Sequence, residues 1–129
     1  MKRNEFLKLS GGLALAGLAS KSGFAALTSE AAKVKNFGIQ LWSVRDDMGK
    51  DAKGTLKQLA SYGYKQIESF EGAKGMFWGM SNAEFKSYMD ELGMKIIASH
   101  CDIDKDFEKK AADAAAIGMK YLICPWKGP

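Results

Sequence analysis

The sequence predicts an α/β fold, the N-terminal half of an eight-stranded α/β barrel in which four parallel strands alternate with three helices. Three observations support this prediction: apolar runs alternate with helical patterns, one helix-to-strand joint occurs three times, and each strand has an aliphatic and a polar face. The composition agrees, since 47% of the 129 residues are hydrophobic and 26% are charged. These values exclude collagen-like, low-complexity and disulfide-scaffold proteins.

Four short apolar runs predict the strands. They cover residues 37–42, 66–70, 95–99 and 120–124. Each run has the length and the β-branched or aromatic content of a buried strand, and each is bounded by a turn signal or a helical pattern.

Helical periodicity fills the three segments between these strands. In residues 81–92 the apolar side chains recur at helical spacing and share one face. Ser81, followed three positions later by Glu84, forms a capping box, which predicts where this helix begins. Residues 51–62 and 106–117 repeat the amphipathic pattern and predict the other two helices.

Each predicted helix ends in the same way. A glycine is followed by an apolar residue, a lysine and the next strand, and these glycines are Gly63, Gly93 and Gly118. Glycine at this place takes the left-handed conformation that closes a helix, so the next strand starts within a few residues. Strand, helix and strand repeated in so short a span predict right-handed crossovers and a parallel sheet.

The two faces of the strands distinguish an open α/β sheet from a barrel. Alternate positions form a polar and aromatic face of Gly38, Gln40, Trp42, Glu68, Phe70, Ala98, His100, Cys124 and Trp126. The other positions form an aliphatic face of Ile39, Leu41, Ile67, Ile97, Tyr121 and Ile123. An open sheet with helices on both sides needs two apolar faces. We therefore expect a barrel whose polar face points inward, toward a site at the C-terminal ends of the strands.

Residues 1–25 have the anatomy of an export signal. A basic start precedes an apolar stretch at 9–19, and small residues follow at 23–25. The apolar stretch is too short for a membrane span, which needs about 20 apolar residues. We expect cleavage after Ala25, a periplasmic location and a mature domain of residues 26–129. Residues 3–8, RNEFLK, resemble the twin-arginine export motif with Asn4 in place of the second arginine.

The formal net charge of +4 belongs mostly to this leader. Its charged residues are Lys2, Arg3, Lys8 and Lys21 against Glu5. The mature domain is nearly neutral, whereas nucleic-acid binding relies on many cationic contacts to phosphates. We therefore expect no nucleic-acid partner, and we interpret the charged run at 105–110 as a solvated helix start.

An ordered set of short motifs runs through the chain after the leader. It consists of GIQLWSVRD at 38–46, GMS at 79–81 with EFK at 84–86, SH at 99–100 and CPW at 124–126. With these motifs the chain resembles exported members of the xylose-isomerase-like TIM barrel superfamily, the sugar phosphate isomerases and epimerases. The resemblance implies isomerisation or epimerisation of a sugar or small hydroxy-carbonyl substrate, assisted by a divalent metal ion such as Mn, Mg or Zn.

The chain length bears on this implied chemistry. A closed barrel takes about 250 residues as a rule, and the family's metal ligands come mostly from its second half. We therefore expect an N-terminal fragment of a longer protein, inactive by itself and prone to self-association through its open sheet edge. The alternative is a noncatalytic exported carbohydrate-binding or interaction module.

His100 and Glu68 are the residues expected at metal or catalytic positions. The resemblance implies that His100, the only histidine, faces the substrate or binds a metal; a structural histidine is the alternative. Glu68 interrupts an apolar strand, where an unpaired carboxylate would be unfavourable. It is therefore either a catalytic residue or one half of an internal ion pair.

Gln40, Trp42 and Trp126 are expected to bind substrate at the mouth of the barrel, where tryptophan can stack on a sugar ring. The alternative for all three is ordinary packing. The loop at 74–80 is predicted to form a substrate wall, a lid or a dimer contact. The two cysteines, Cys101 and Cys124, match no zinc spacing and are expected to be ordinary buried thiols, with a disulfide as the alternative.

Overall fold

The computed structural model describes residues 35–128. The expected leader and its cleavage site lie outside the described residues. The strands are β1 (Gly38–Gln40), β2 (Gln66–Phe70), β3 (Lys95–His100) and β4 (Tyr121–Ile123). The helices are α1 (Arg45–Lys50), α2 (Ala52–Ser61), α3 (Asn82–Glu91) and α4 (Phe107–Ala116), and a 3₁₀ turn (Leu41–Val44) precedes α1.

The four strands form one parallel sheet in the order β1-β2-β3-β4. In a doubly wound open sheet the strand order reverses at a switch point. Strands that follow one another in sequence order, with crossovers of one hand, instead place all their helices on the same side. The observed order therefore confirms the predicted partial α/β barrel.

The predicted helix boundaries are confirmed to within a residue, for the reasons that predicted them. The Ser81 hydroxyl accepts a hydrogen bond from the Glu84 amide, and the Glu84 carboxylate accepts one from the Ser81 amide at 2.8 Å, which completes the capping box. The glycines at the three joints all have positive φ, for example +64° at Gly93.

A 3₁₀ turn and the short helix α1 were not predicted. The apolar run at 37–42 indicated a strand to Trp42, but the strand ends at Gln40. The Gln40 side chain accepts a hydrogen bond from the Trp42 amide, which closes the 3₁₀ turn and takes the chain out of the sheet. A side-chain cap has thus overridden the strand propensity of Leu41 and Trp42.

The hydrophobic core lies between the sheet and its helices. Strand residues Ile67 and Ile96 pack there against helix residues such as Leu56 and Phe85, all of them buried. None of the helices in residues 35–128 is long and apolar enough to cross a membrane.

The loop at 74–80 also contributes to this core. Met76, Phe77 and Trp78 are all buried in the same cluster. Ser69 holds the loop in place, because its hydroxyl donates to the Met76 carbonyl at 2.9 Å and accepts from the Trp78 indole at 3.1 Å. The expectation that these side chains form a lid, substrate wall or dimer contact was wrong, since they pack inward.

An irregularity in β3 changes the predicted faces. Ile67 pairs with Ile96, but the next residue, Glu68, pairs with Ala98, so Ile97 is left without a partner across the strand. Such a bulge shifts the alternation of side chains by one position. Ile96 therefore faces the helices, and Ile97, which was expected there, lines the opposite face.

The register of β4 brings a second correction. Ala98 pairs with Tyr121 and His100 pairs with Ile123. Directly paired residues share a face, so Tyr121 and Ile123 lie opposite the helices rather than against them as predicted. We call this face, which carries Gln40, Glu68, Phe70, Ala98, His100, Tyr121 and Ile123, the inner face.

Candidate functional site

A groove of about 880 Å³ lies at the carboxyl ends of the strands. The four predicted substrate-binding residues, Gln40, Trp42, His100 and Trp126, all line it. Gln40 and His100 are the last residues of β1 and β3, and the other two follow the ends of β1 and β4. Since parallel strands end at the same side of a sheet, residues distant in sequence converge here.

Glu68 and His100 form a close pair below this groove. The His100 Nε2 atom lies 3.0 Å from Glu68 Oε1, and the side chains are 29% and 31% exposed. Glu68 lines an adjoining groove of about 320 Å³ on the inner face. The structure brings Glu68 into contact with His100, the residue expected to face substrate, and this contact is compatible with both roles considered for Glu68.

Gln40 is partly committed to the fold. Its side-chain carbonyl caps the 3₁₀ turn through the Trp42 amide. A carbonyl held in this way leaves the side-chain amide nitrogen, with its two N–H donors, as the group of Gln40 that can serve a ligand.

Trp42 is supported by a row of aromatic rings that reaches from the core to the groove. Its ring packs edge-on against Phe70, and Phe70 packs edge-on against buried Trp78, with ring centroids 5.0 Å apart at each contact. The Arg45 guanidinium lies 5.1 Å from the centroid of the Trp42 ring. Trp42 is nevertheless 55% exposed, so it offers a rigidly held apolar surface to the groove.

Trp126 lies on the segment after β4 and is 77% exposed. The next residue, Lys127, ties this segment to the loop after β3 through Asp104, at 3.1 Å. The hydrogen bond and the charge of Asp104 raise the pKa of Lys127. Sequence analysis missed this contact, because nothing in the chain predicts which loops meet at the groove.

Both cysteines carry free thiols; Cys101 is buried as expected, whereas Cys124 is only half-buried. Cys101 is buried beside the groove, and burial raises the pKa of its thiol, an effect that nearby Lys110 only partly opposes. A thiol of raised pKa stays protonated near neutral pH, so Cys101 is a poor nucleophile.

Another close contact that sequence analysis missed joins Glu71 to Lys110. Lys110 lies at the end of the run at 105–110, which was interpreted as a solvated helix start. Its side chain is instead only 13% exposed, and its amino group lies 2.8 Å from the Glu71 carboxylate. No periodicity signalled this contact, since Glu71 and Lys110 are 39 positions apart.

The donor atoms of the described residues decide whether the expected metal ion has a complete site here. Within residues 35–128, no three histidine, cysteine, aspartate or glutamate side chains are grouped so as to hold a metal ion. Glu68 and His100 provide one carboxylate and one imidazole, which are suitable ligand types but fewer than the three protein ligands of a typical catalytic site. The described residues alone therefore do not make a complete metal site.

Comparison with known proteins identifies structural relatives. No protein-family model and no curated protein matches the chain. Two similar crystal structures are each described as a sugar phosphate isomerase/epimerase from Parabacteroides distasonis. One is 26% identical, covers 68% of this chain and 40% of its own, and has a TM-score of 0.55. The other is 22% identical, covers 78% and 42%, and has a TM-score of 0.62.

The chain thus spans about two fifths of the length of either structure. The structure that is 26% identical to this chain carries the name implied by the motifs. Together the fold and these neighbours confirm the resemblance of the chain to the xylose-isomerase-like superfamily of sugar phosphate isomerases and epimerases.

Proposed function

We propose that the chain forms the substrate-binding wall of a sugar isomerase or epimerase. The observation that carries this proposal is the convergence of Gln40, Trp42, His100 and Trp126 on one groove at the strand ends. Groups on three separate segments meet there, as in barrel enzymes, whose sites lie at this end of the sheet. The sugar phosphate isomerase/epimerase structures with a similar fold support the same reaction class.

The groups in the groove suit a small polyhydroxylated ligand. The exposed rings of Trp42 and Trp126 provide apolar surfaces for the C–H faces of a sugar. The Gln40 amide and the His100 imidazole provide hydrogen-bonding groups for hydroxyl or carbonyl oxygens. Glu68, 3.0 Å from His100, orients the imidazole and is the candidate for moving a proton at the carbon beside the carbonyl.

Residues 35–128 alone are proposed to bind and orient the substrate, and proton transfer by Glu68 is proposed only for the full-length protein. A divalent Mn, Mg or Zn ion, implied by the family resemblance, requires more ligands than Glu68 and His100. We propose that those ligands and further proton-transfer carboxylates belong to the full-length protein outside this range. Accordingly, we expect the 129-residue chain by itself to bind substrate weakly and not to convert it.

Saturation-transfer NMR with D-fructose as the probe tests the binding step. We expect signal transfer from the protein to the ring protons of the sugar, and a marked loss of transfer in Trp126→Ala and His100→Ala. Tyr62→Ala is the matched control, because Tyr62 is an exposed aromatic residue that does not line the groove. Equal transfer in all four proteins would contradict the proposal.

Turnover separates an isomerase from a noncatalytic carbohydrate-binding module. The full-length protein, supplied with Mn²⁺, is expected to convert a ketose probe into its isomer or epimer, which NMR of the sugar detects. A binding module would show the saturation transfer without any conversion.

Export is part of the same proposal. The leader at residues 1–25 predicts a periplasmic protein that begins at Ala26. Intact mass measurement of protein from the periplasmic fraction checks this directly. Protein that retains Met1 in that fraction would exclude cleavage after Ala25.

We also propose that the isolated chain self-associates. β1 and β4 lie at the two edges of the sheet, and their outer edges are unpaired among residues 35–128. Tyr121, on the edge strand β4, is exposed on the inner face. Open edges and exposed aromatic groups favour association, so sedimentation is expected to show a dimer or larger species rather than a monomer.

A further inference from the structure

The carboxylate of Glu71 connects three segments at the rim of the groove. Glu71 directly follows β2, and both of its oxygens lie 2.8 Å from the amino group of Lys110 on α4. One of these oxygens also accepts a hydrogen bond from the Asp102 amide at 2.8 Å. The Lys110 amino group donates in addition to the Asp102 carbonyl at 2.8 Å. Both backbone polar groups of Asp102 are thus bound by one ion pair.

This ion pair differs from the other lysine pairs of residues 35–128. The Lys110 and Glu71 side chains are 13% and 28% exposed, whereas Lys109, the neighbouring residue on α4, is 76% exposed in its pair with Asp113. Burial acts to lower the pKa of Lys110, but the hydrogen bond and charge of Glu71, together with the charges of Cys101 and Asp102, outweigh it and raise the pKa overall. The desolvation of a half-buried pair is offset only when its remaining hydrogen bonds are formed, and here both Glu71 oxygens and the Lys110 amino group have partners.

The same segment contains His100. The Glu71 amide donates to the His100 carbonyl at 2.8 Å, and the Cys101 amide donates to the Ile123 carbonyl at 2.9 Å. The main chain of residues 100–102 is therefore hydrogen-bonded to the segments on either side of it. Glu71 bonds to His100 and Asp102, and Ile123 bonds to Cys101. The His100 imidazole faces Glu68 from this immobilised segment.

We propose that Glu71 and Lys110 are positioning residues that fix the segment 100–102 and thereby hold the His100 imidazole against Glu68 at the groove. The proposal deepens the proposed function, since it rests on His100 being the group that meets substrate. Neither side chain of the pair needs to touch the ligand. They orient the His100 imidazole through their bonds to the main chain of Asp102 and His100.

NMR of the full chain tests this proposal without any sugar. His100 is the only histidine, so the imidazole region of a ¹H–¹⁵N spectrum contains one set of signals. In Lys110→Met, Glu71 loses its cation and turns toward water, so the His100 signals shift and the Asp102 amide exchanges about tenfold faster. Lys110→Arg keeps the charge, so its His100 signals and its Asp102 exchange rate are expected to match those of the wild type.

Lys109→Met is the matched control, because it removes a lysine from an exposed pair one position away on the same helix. It is expected to leave the His100 signals and the Asp102 exchange rate unchanged. If Lys110→Met fails to fold, Glu71→Gln replaces it, since the amide has nearly the same shape as the carboxylate.

A purely structural ion pair would give a different result. The thermal midpoint would fall in Lys110→Met, or in Glu71→Gln, while the His100 signals stayed in place below the transition. That outcome overturns the proposal. Because no substrate is used, the result is independent of whether the groove binds D-fructose, so failure of the positioning role and failure of the proposed function can be told apart.

Discussion

His100 Nε2 lies 3.0 Å from Glu68 Oε1 across two neighbouring strands. Glu68 pairs with Ala98, and His100 is two residues beyond Ala98 on the same face, so the two side chains meet diagonally. Both are about one-third exposed. Water therefore screens the pair, and pairs of this kind contribute about 0–1 kcal/mol to stability. The contact orients the imidazole far more than it stabilises the fold.

Glu68→Gln is expected to separate these two effects. The substitution keeps the shape of the side chain and removes its charge, so the free energy of unfolding should change by less than about 1 kcal/mol. The His100 imidazole signals in a ¹H–¹⁵N spectrum should shift clearly, because the neighbouring carboxylate is lost. Glu91→Gln, at the exposed end of α3, is the control and should leave those signals in place. Unchanged His100 signals in Glu68→Gln would contradict the observed contact.

Fluorescence quenching by acrylamide tests the exposure of the groove tryptophans. The chain has three tryptophans, of which Trp42 and Trp126 are 55% and 77% exposed and Trp78 is 9% exposed. Trp42→Phe and Trp126→Phe should each remove an easily quenched component, and Trp78→Phe should remove the shielded one. Loss of the most accessible fluorescence in Trp78→Phe would show that the loop at 74–80 does not pack inward.

Two glycines are expected to respond to alanine with opposite signs. A Cβ at Gly93 or at Gly49 would meet no atom within 4 Å, so packing is equal at the two sites. Gly93 has φ of +64°, where alanine is strained by about 1–2 kcal/mol. Gly49 lies in α1 without a positive φ, and alanine there should stabilise by about 0.5–1 kcal/mol. Urea denaturation measures the change in the free energy of unfolding for both variants. Changes of the same sign would contradict the left-handed conformation of Gly93 at the helix-to-strand joint.

The capping box of α3 makes stability depend on pH. Hydrogen bonds from the amide and hydroxyl of Ser81 lower the pKa of Glu84 below its ordinary value of 4.5. A lowered folded-state pKa stabilises the fold above the unfolded pKa, and this stabilisation is lost as pH falls through the folded value. Wild type should therefore exceed Glu84→Gln in stability at neutral pH, and the difference should shrink below pH 4.5. Glu91→Gln at the other end of α3 provides the control; a constant difference across this range would argue against the cap.

The elements of the fold could be predicted because their signals are local. The apolar face of α3 and the glycine at each helix end can each be recognised from residues within about one helical turn. The convergence of Gln40, His100 and Trp126 was also predictable, since residues at the ends of parallel strands share one side of the sheet. The 3₁₀ turn and helix in residues 41–50 were not predicted, because the Gln40 side chain, rather than an apolar pattern, sets the end of β1.

Contacts between segments were not predictable in the same way. The pairs Glu68 with His100 and Glu71 with Lys110 join residues more than 30 positions apart. Sequence analysis left Glu68 with two alternative roles and placed Lys110 on a solvated surface. No local pattern specifies such partners, because they depend on the register of neighbouring strands and on where α4 packs.

The amino-acid sequence by itself determined the order of the four strands and of α2, α3 and α4, the ends of these helices and the residues that gather at the strand ends. Each of these follows from local periodicity or capping. Only the tertiary structure decided on which face of the sheet the side chains of β3 after Ile96, and those of β4, lie. The bulge at Ile97 shifts the alternation in β3, and the pairing of Ala98 with Tyr121 sets the face of β4. An uninterrupted apolar run such as that of β4 carries no alternation of its own, so its orientation comes from its neighbours.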